Sequence, residues 1–248
     1  ITESSMLDEK SNNYLMAVFN NDKTTSIAFI DLSTGEFNCT SADTVEQQNI
    51  INEINRINPT EAICNNEPGF DMLPKDSSQI NSSYFELSAC ERRLKKQFDV
   101  TSLVGLGLDS EDLIKSTGAI LLYLDEIQKV ALNNINGIRH YSISSYMILD
   151  MNTRRNLELI ETMRGKTRKG ALISVMDKTS TSMGGRRLKA WIEKPLLNPE
   201  EINERLDGVQ ELYHEFLLRE EMKEYLKIIY DIERLGTRIA LGTANARD

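Results

Sequence analysis

Three groups of residues in this chain have types and spacings that could do chemistry. Asp31 ends a β-type run and opens the turn Asp31-Leu32-Ser33-Thr34-Gly35. With Glu36 and Glu61 it could seed a carboxylate cluster holding two metal ions, the arrangement that activates water and steadies the leaving oxygen in phosphodiester cleavage. The competing reading is an Asx-type turn, in which the carboxylate serves its own backbone. Gly165-Lys166-Thr167 matches the end of a phosphate-binding loop, but the full motif needs glycine where Ile160 stands. A helical pattern also precedes it where a strand is required, so it reads as a decoy: a helix C-cap followed by a basic loop. The third group is a run of cations. Between 151 and 194, eleven Lys/Arg face four acids, a local charge of +7 in a chain of −9.

Within that run, Arg154, Arg155, Arg164, Lys166, Arg168 and Lys169 are the candidates for contact with DNA phosphates, which ask only for positive charge. No aromatic residue interleaves the six, so stacking on single strands is unsupported. Residues 195–233 carry four bases against eleven acids. Pairing between helices is therefore the expected use of the cations. No Ser/His/Asp or Cys/His arrangement stands out. His140 and His214 are expected to be structural or exposed. Cys39, Cys64 and Cys90 form no Cys-x-x-Cys and read as reduced thiols. No catalytic, cofactor-binding or metal-ligating residue is assigned.

The elements that must position these groups divide into two grammars. Residues 14–19, 25–32 and 36–40 read as a three-stranded antiparallel meander. A helix is predicted from Asp43, with Val45, Ile50, Ile51, Ile54 and Ile57 on its buried face and Pro59 at its end. Residues 60–65 read as a buried strand, 80–87 as a weak edge strand and 89–98 as a helix. Ser110 caps a long helix to about Ala131 whose buried side is Leu113, Ile120, Leu121, Leu124 and Ile127. Gly118 inside it suggests close packing. Three antiparallel strands followed by helix–strand–helix units predict a mixed sheet of RNase H-like order. The polar stretch 132–146 is the best boundary, giving an α/β domain at 1–136 and an all-α segment at 137–248.

The second part predicts a helix from Asp150 to about Met163 with Gly165 beyond it. Leu172–Met176 reads as an apolar connector. Another helix runs from Thr181 or Ser182 to Pro195, with Met183, Leu188, Trp191 and Ile192 on its apolar face. Asn198-Pro199-Glu200-Glu201 is a strong helix start, followed by Ile202, Leu206, Val209, Tyr213 and Phe216 on one stripe. Helices at 219–229 and 231–241 complete the set. Leu149, Leu157, Met183, Leu188 and Trp191 are expected to form the core of this segment, and Trp191→Ala to cost about 3–5 kcal/mol. No apolar run approaches the roughly 20 residues that span a bilayer. The absence of methionine at Ile1 and of a closing cap at Asp248 suggests an excised piece of a longer protein.

Particular residues carry a family resemblance. They are Leu149-Asp150, Thr153-Arg154-Arg155-Asn156-Leu157-Glu158, the spaced Asp177, Thr179, Thr181, Met183 and Gly184, then Arg186, Leu188 and Trp191. Pro195-Leu196, Glu233-Arg234 and Arg238-Ile239-Ala240 continue the series, and Asp31, Ser33–Phe37 and Leu103–Gly107 match more loosely. The chain resembles the MutS family of DNA mismatch-repair proteins. The resemblance implies an RNase H-like connector domain followed by the first part of the helical core, or lever. It further implies mismatched duplex DNA and MutL as partners of the whole protein, homodimerisation, ATP and magnesium as its cofactors, and a cytoplasmic location. The fragment itself is expected to be non-catalytic, without cofactor, and monomeric or weakly associated. Its expected role is to join the mismatch-reading domain to the clamp and ATPase and to offer a surface to MutL. The family's Phe-x-Glu wedge has no match here. The alternatives are an autonomous nucleic-acid-binding module using residues 151–194 and an RNase H-like metal-dependent nuclease.

Overall fold

The computed structural model describes residues 8–65, 71–73, 78–81, 84–128 and 132–245. Two compact units emerge. One comprises residues 12–143 with 233–245, the other residues 8–11 with 144–232.

The first unit is built on a mixed sheet in the order β5-β4-β1-β2-β3-β6. Strands β1 (Leu15–Asn20), β2 (Thr24–Asp31) and β3 (Glu36–Asp43) form the expected meander, and β4 (Glu61–Cys64) runs parallel to β1. Strand β5 (Ser78–Asn81) lies at the edge, parallel to β4. This is the predicted RNase H-like order. A two-residue β6 (Arg139–His140) adds parallel to β3 at the other edge.

Alternation along the strands assigns the two faces. Leu15, Ala17, Ala28, Ile30, Phe37, Cys39 and Ile63 share one buried cluster with α2 (Leu87–Phe98) and α3 (Glu111–Gln128). Met16, Val18, Ile27, Phe29, Ala62 and Cys64 point the other way and are buried as well. On that side α1 (Gln47–Ile57) packs, burying Ile50, Ile54 and Ile57. Gly118 makes the α2–α3 crossing possible, because a Cβ there would lie 2.3 Å from the Cβ of Cys90. Ser110 caps α3 through the Leu113 amide at 3.3 Å.

Several boundaries move for local reasons. Residues 44–46 form a 3-10 turn and α1 starts at Gln47, which leaves Val45 97% exposed instead of buried. Helix α1 ends at Asn58, which takes the left-handed conformation at φ 49°, one residue before Pro59. Helix α2 starts at Leu87 because the Glu86 carboxylate accepts from the Ser88 and Ala89 amides. This displaces the predicted cap at Ser88. Ile127 is exposed near the end of α3, whose predicted extension to Ala131 lies outside the described residues. Leu132 and Ile135 are buried with the sheet, so the polar stretch still belongs to the first unit at Ile143.

The second unit contains α4 (Met151–Asn156), α5 (Leu172–Met176), α6 (Ser182–Glu193), α7 (Pro199–His214) and α8 (Phe216–Lys227). Asp150 caps α4 by accepting from the Thr153 amide at 2.7 Å, and that bond holds its carboxyl below the usual range. Helix α4 does not reach Met163. Glu158 turns left-handed at φ 46° and its carboxylate accepts from the Met163 amide at 2.7 Å, which closes a turn in place of two further helical turns. Residues 172–176 are a short helix, not an extended connector, and α7 breaks at Glu215 before Phe216. Helix α9 (Ile232–Ala240) buries Arg234 and Thr237.

The expected core of the helical segment also changes. Leu157 is 59% and Trp191 41% exposed, while Leu149, Met183 and Leu188 are half-buried. Burial falls instead on Tyr146, Leu159, Ala171 and Ile173. The physical cause is the early end of α4. It folds Leu159 back against the start of α5, where the Ile173 amide donates to the Leu159 carbonyl at 3.0 Å.

Candidate functional site

The carboxylates with potential for metal chemistry are engaged structurally. Asp31 is fully buried at the end of β2. Its Oδ1 accepts from the Ser33 amide at 2.9 Å and the Ser33 hydroxyl at 2.7 Å. Its Oδ2 accepts from Asn12 Nδ2 at 2.9 Å and the Asn13 amide at 3.3 Å. The Asx-turn reading is therefore the observed one. Glu36 pairs in register with Asp31 and accepts from the Tyr14 hydroxyl (2.9 Å) and Asn38 Nδ2 (2.7 Å). Glu61 faces the opposite side of the sheet, in register with Leu15, and accepts from the Tyr123 hydroxyl on α3. Strand alternation thus keeps the three from one cluster. Among the described residues no group of three or more His, Cys, Asp and Glu is placed to hold a metal ion.

Burial and the Glu36 carboxylate push the Tyr14 phenol up. Burial pushes the Cys39, Cys64 and Cys90 thiols up to about 12, and all three are free and buried. These are protected, unreactive thiols. His140 is exposed on β6 and His214 is exposed at the end of α7, edge-on to Tyr213.

Gly165-Lys166-Thr167 forms a tight surface turn. The Thr162 amide donates to the Thr167 carbonyl at 2.9 Å, and the two threonine hydroxyls lie 3.1 Å apart. Gly165 and Lys166 take φ of 89° and 47°. The turn is its own hydrogen-bonded loop. Gly165 is not the cap of α4, which ends nine residues earlier.

The six cation candidates separate. Arg168 pairs with Asp177, and Arg154 is half-buried and engaged in interactions of its own. Arg155, Arg164, Lys166 and Lys169 are exposed, with no ion-pair partner among the described residues. Three of these four lie in the turn between Thr162 and Gly170. The cation run does pair with the acidic segment 195–233 at Arg186, outside the six, although its partner precedes a helix and does not lie on one. Arg186 is 7% exposed and forks onto Asp231 at 2.6 and 2.8 Å. Its Nη1 also donates to the Glu9 carbonyl at 2.8 Å. Arg205 and Arg187 lie over the Trp191 ring at 4.0 and 5.7 Å. Sequence reasoning missed Lys10, which reaches Asp177 Oδ2 at 2.8 Å and Thr179 Oγ1 at 3.2 Å. A polar leader gives no signal for a partner 167 positions away.

The carboxylates are thus engaged by neighbouring groups, the thiols are buried and the basic turn lies at the surface. Comparison with known protein families agrees in order and extent. Residues 13–136 match MutS domain II and residues 152–248 match MutS domain III. The chain belongs to the MutS family. It is 43% identical over 258 aligned residues to the DNA mismatch repair protein MutS of Acetivibrio thermocellus, covering 100% of this chain and 29% of that protein. The MutS proteins of Alkaliphilus oremlandii and Clostridioides difficile are each 41% identical, over 100% and 97% of this chain. The chain spans 26–30% of the length of these relatives.

Proposed function

We propose that this chain is the connector and first part of the lever of a mismatch-repair protein, the division falling at 136/137. In this reading it joins the mismatch-reading part to the clamp and ATPase, transmits conformational change and offers a surface to MutL. The carrying observation is that two MutS domain models match in order along the chain, at 13–136 and 152–248, while 41–43% identity extends over about 30% of the relatives. Packed helices suit transmission because they move as rigid bodies. The chain works without catalysis or cofactor of its own. Mismatched duplex DNA, ATP, magnesium, the homodimer and the cytoplasmic setting belong to the whole protein.

The test is exchange. This chain replaces its aligned segment in the Acetivibrio thermocellus relative, and the chimaera is expressed in a bacterium lacking its own MutS. Restored mutation avoidance and retention of MutL are expected. A chimaera that accumulates folded, binds MutL and still leaves the mutation rate unrepaired would remove transmission from the proposal. Loss of MutL binding alone would remove the docking surface.

A second reading has its own support: Arg155, Arg164, Lys166 and Lys169 are exposed without ion-pair partners among the described residues. Direct phosphate contact by these four would give duplex binding whose salt slope drops by about 3.6 when all are changed to Ala. We expect the isolated chain to bind weakly and the slope to be shallow.

A further inference from the structure

Residues 8–11 lie ahead of β1, yet they pack into the helical unit. The Lys10 amide donates to Asp8 Oδ1 at 2.8 Å and the Ser11 amide to the Asp8 carbonyl at 3.2 Å, which shapes the segment into a turn. The Lys10 stem then crosses α6 at Gly185. A Cβ at that position would come within 2.6 Å of Lys10 Cδ and 2.8 Å of Cγ, so glycine provides the slot. Beyond the slot, Lys10 Nζ meets Asp177 and Thr179. Asp177 Oδ1 holds the Thr179 amide at 3.0 Å and its hydroxyl at 2.6 Å, while Oδ2 is shared by Lys10 and Arg168. A second hold sits alongside, where Arg186 reaches the Glu9 carbonyl and the Ser182 hydroxyl lies 3.3 Å from Glu9 Oε2.

We propose that residues 8–11 are a releasable strap on the helical unit, with Lys10, Asp177 and the Gly185 slot as its latch. A single carboxylate oxygen holds both the strap and Arg168, a cation of the basic turn. Departure of either therefore leaves that oxygen to the other. Latched, the strap covers the start of α6 and orders the 177–181 segment. Released, it frees the chain leading into β1 from the helical unit while the sheet stays intact, because no strand contributes to the latch.

Hydrogen exchange on the 248-residue chain tests this. In Lys10→Met, amide exchange at Thr179, Gly184 and Gly185 should accelerate at least about tenfold, with β1–β3 unchanged. Gly185→Ala should give the same signature with every charged group retained, and Lys10→Arg should restore much of the protection in the parent background. Parent-like exchange in both Lys10→Met and Gly185→Ala overturns the proposal. So does equal acceleration through residues 15–31, which would make Lys10 a general stability contact.

Discussion

The sheet of residues 15–64 and the helix pair α7–α8 dispose of their apolar side chains in opposite ways. In β1, β2 and β4 the apolar positions of both faces are buried, or partly buried at Phe19, under α2 and α3 on one side and α1 on the other. Along α7 and α8, Leu206, Val209, Tyr213, Phe216, Leu217 and Tyr225 remain exposed, although their spacing is that of a buried stripe. The sheet receives its cover from crossover helices that lie next to the strands in sequence. Neither helix of the pair buries a side chain, and its apolar stripe stays open. Amphipathic periodicity therefore announces that a face can be covered and says nothing of the covering partner.

The contrast can be broken by substitution. The largest effect should come from Ile30→Ala in the sheet cluster, about 4 kcal/mol from lost transfer energy and the cavity left behind. Urea denaturation followed by far-ultraviolet circular dichroism measures it. Gly118→Ala should cost about 3 kcal/mol by overpacking, and Cys90→Gly in the same chain should recover part of that. Failure of the pair to couple would mean that the α2–α3 crossing yields elsewhere. Trp191→Ala should cost only about 1 kcal/mol, because the ring is half-exposed and its arginine contacts are worth about that much. A cost above 3 kcal/mol would return Trp191 to a buried core. Val209→Ala should fall within about 0.5 kcal/mol of the parent; a larger loss would reveal cover on the open stripe.

Acid should separate the units as well. Burial opposes ionisation of Asp177, but Lys10 and Thr179 outweigh it and hold the carboxyl at about 2. That lies below the roughly 3.9 of an unfolded aspartate. Its contribution is therefore complete above about pH 4 and fades as pH falls toward 2. Asp177→Asn should flatten this limb of the helical unit's acid titration, monitored by Trp191 fluorescence. The three thiols should in turn resist alkylation at pH 8 until the sheet unit unfolds.

Much of this molecule was legible in its residues. The meander, the parallel strand after Pro59, the caps at Ser110, Asp150 and Asn198, and the meaning of Gly118 follow from local chemistry. The true end of α4 did not, since nothing in Glu158 announces a left-handed backbone. Nor did the cap at Glu86, where a longer carboxylate displaced the serine pattern beside it. Among the candidate site residues, charge was readable and partnership was not.

The basic run and the family motifs were fixed by residue identity alone, because both are properties of the order of side chains along the chain. Tertiary structure alone decided which cations are spent. It buried Arg186 on Asp231, brought Lys10 to the carboxylate that also holds Arg168, and left Arg155, Arg164, Lys166 and Lys169 facing solvent. It also put Glu61 on the far side of the sheet from Asp31. The reason is range. Periodicity and capping act over a few residues, whereas an ion pair is set by whichever segments the fold brings within about 4 Å.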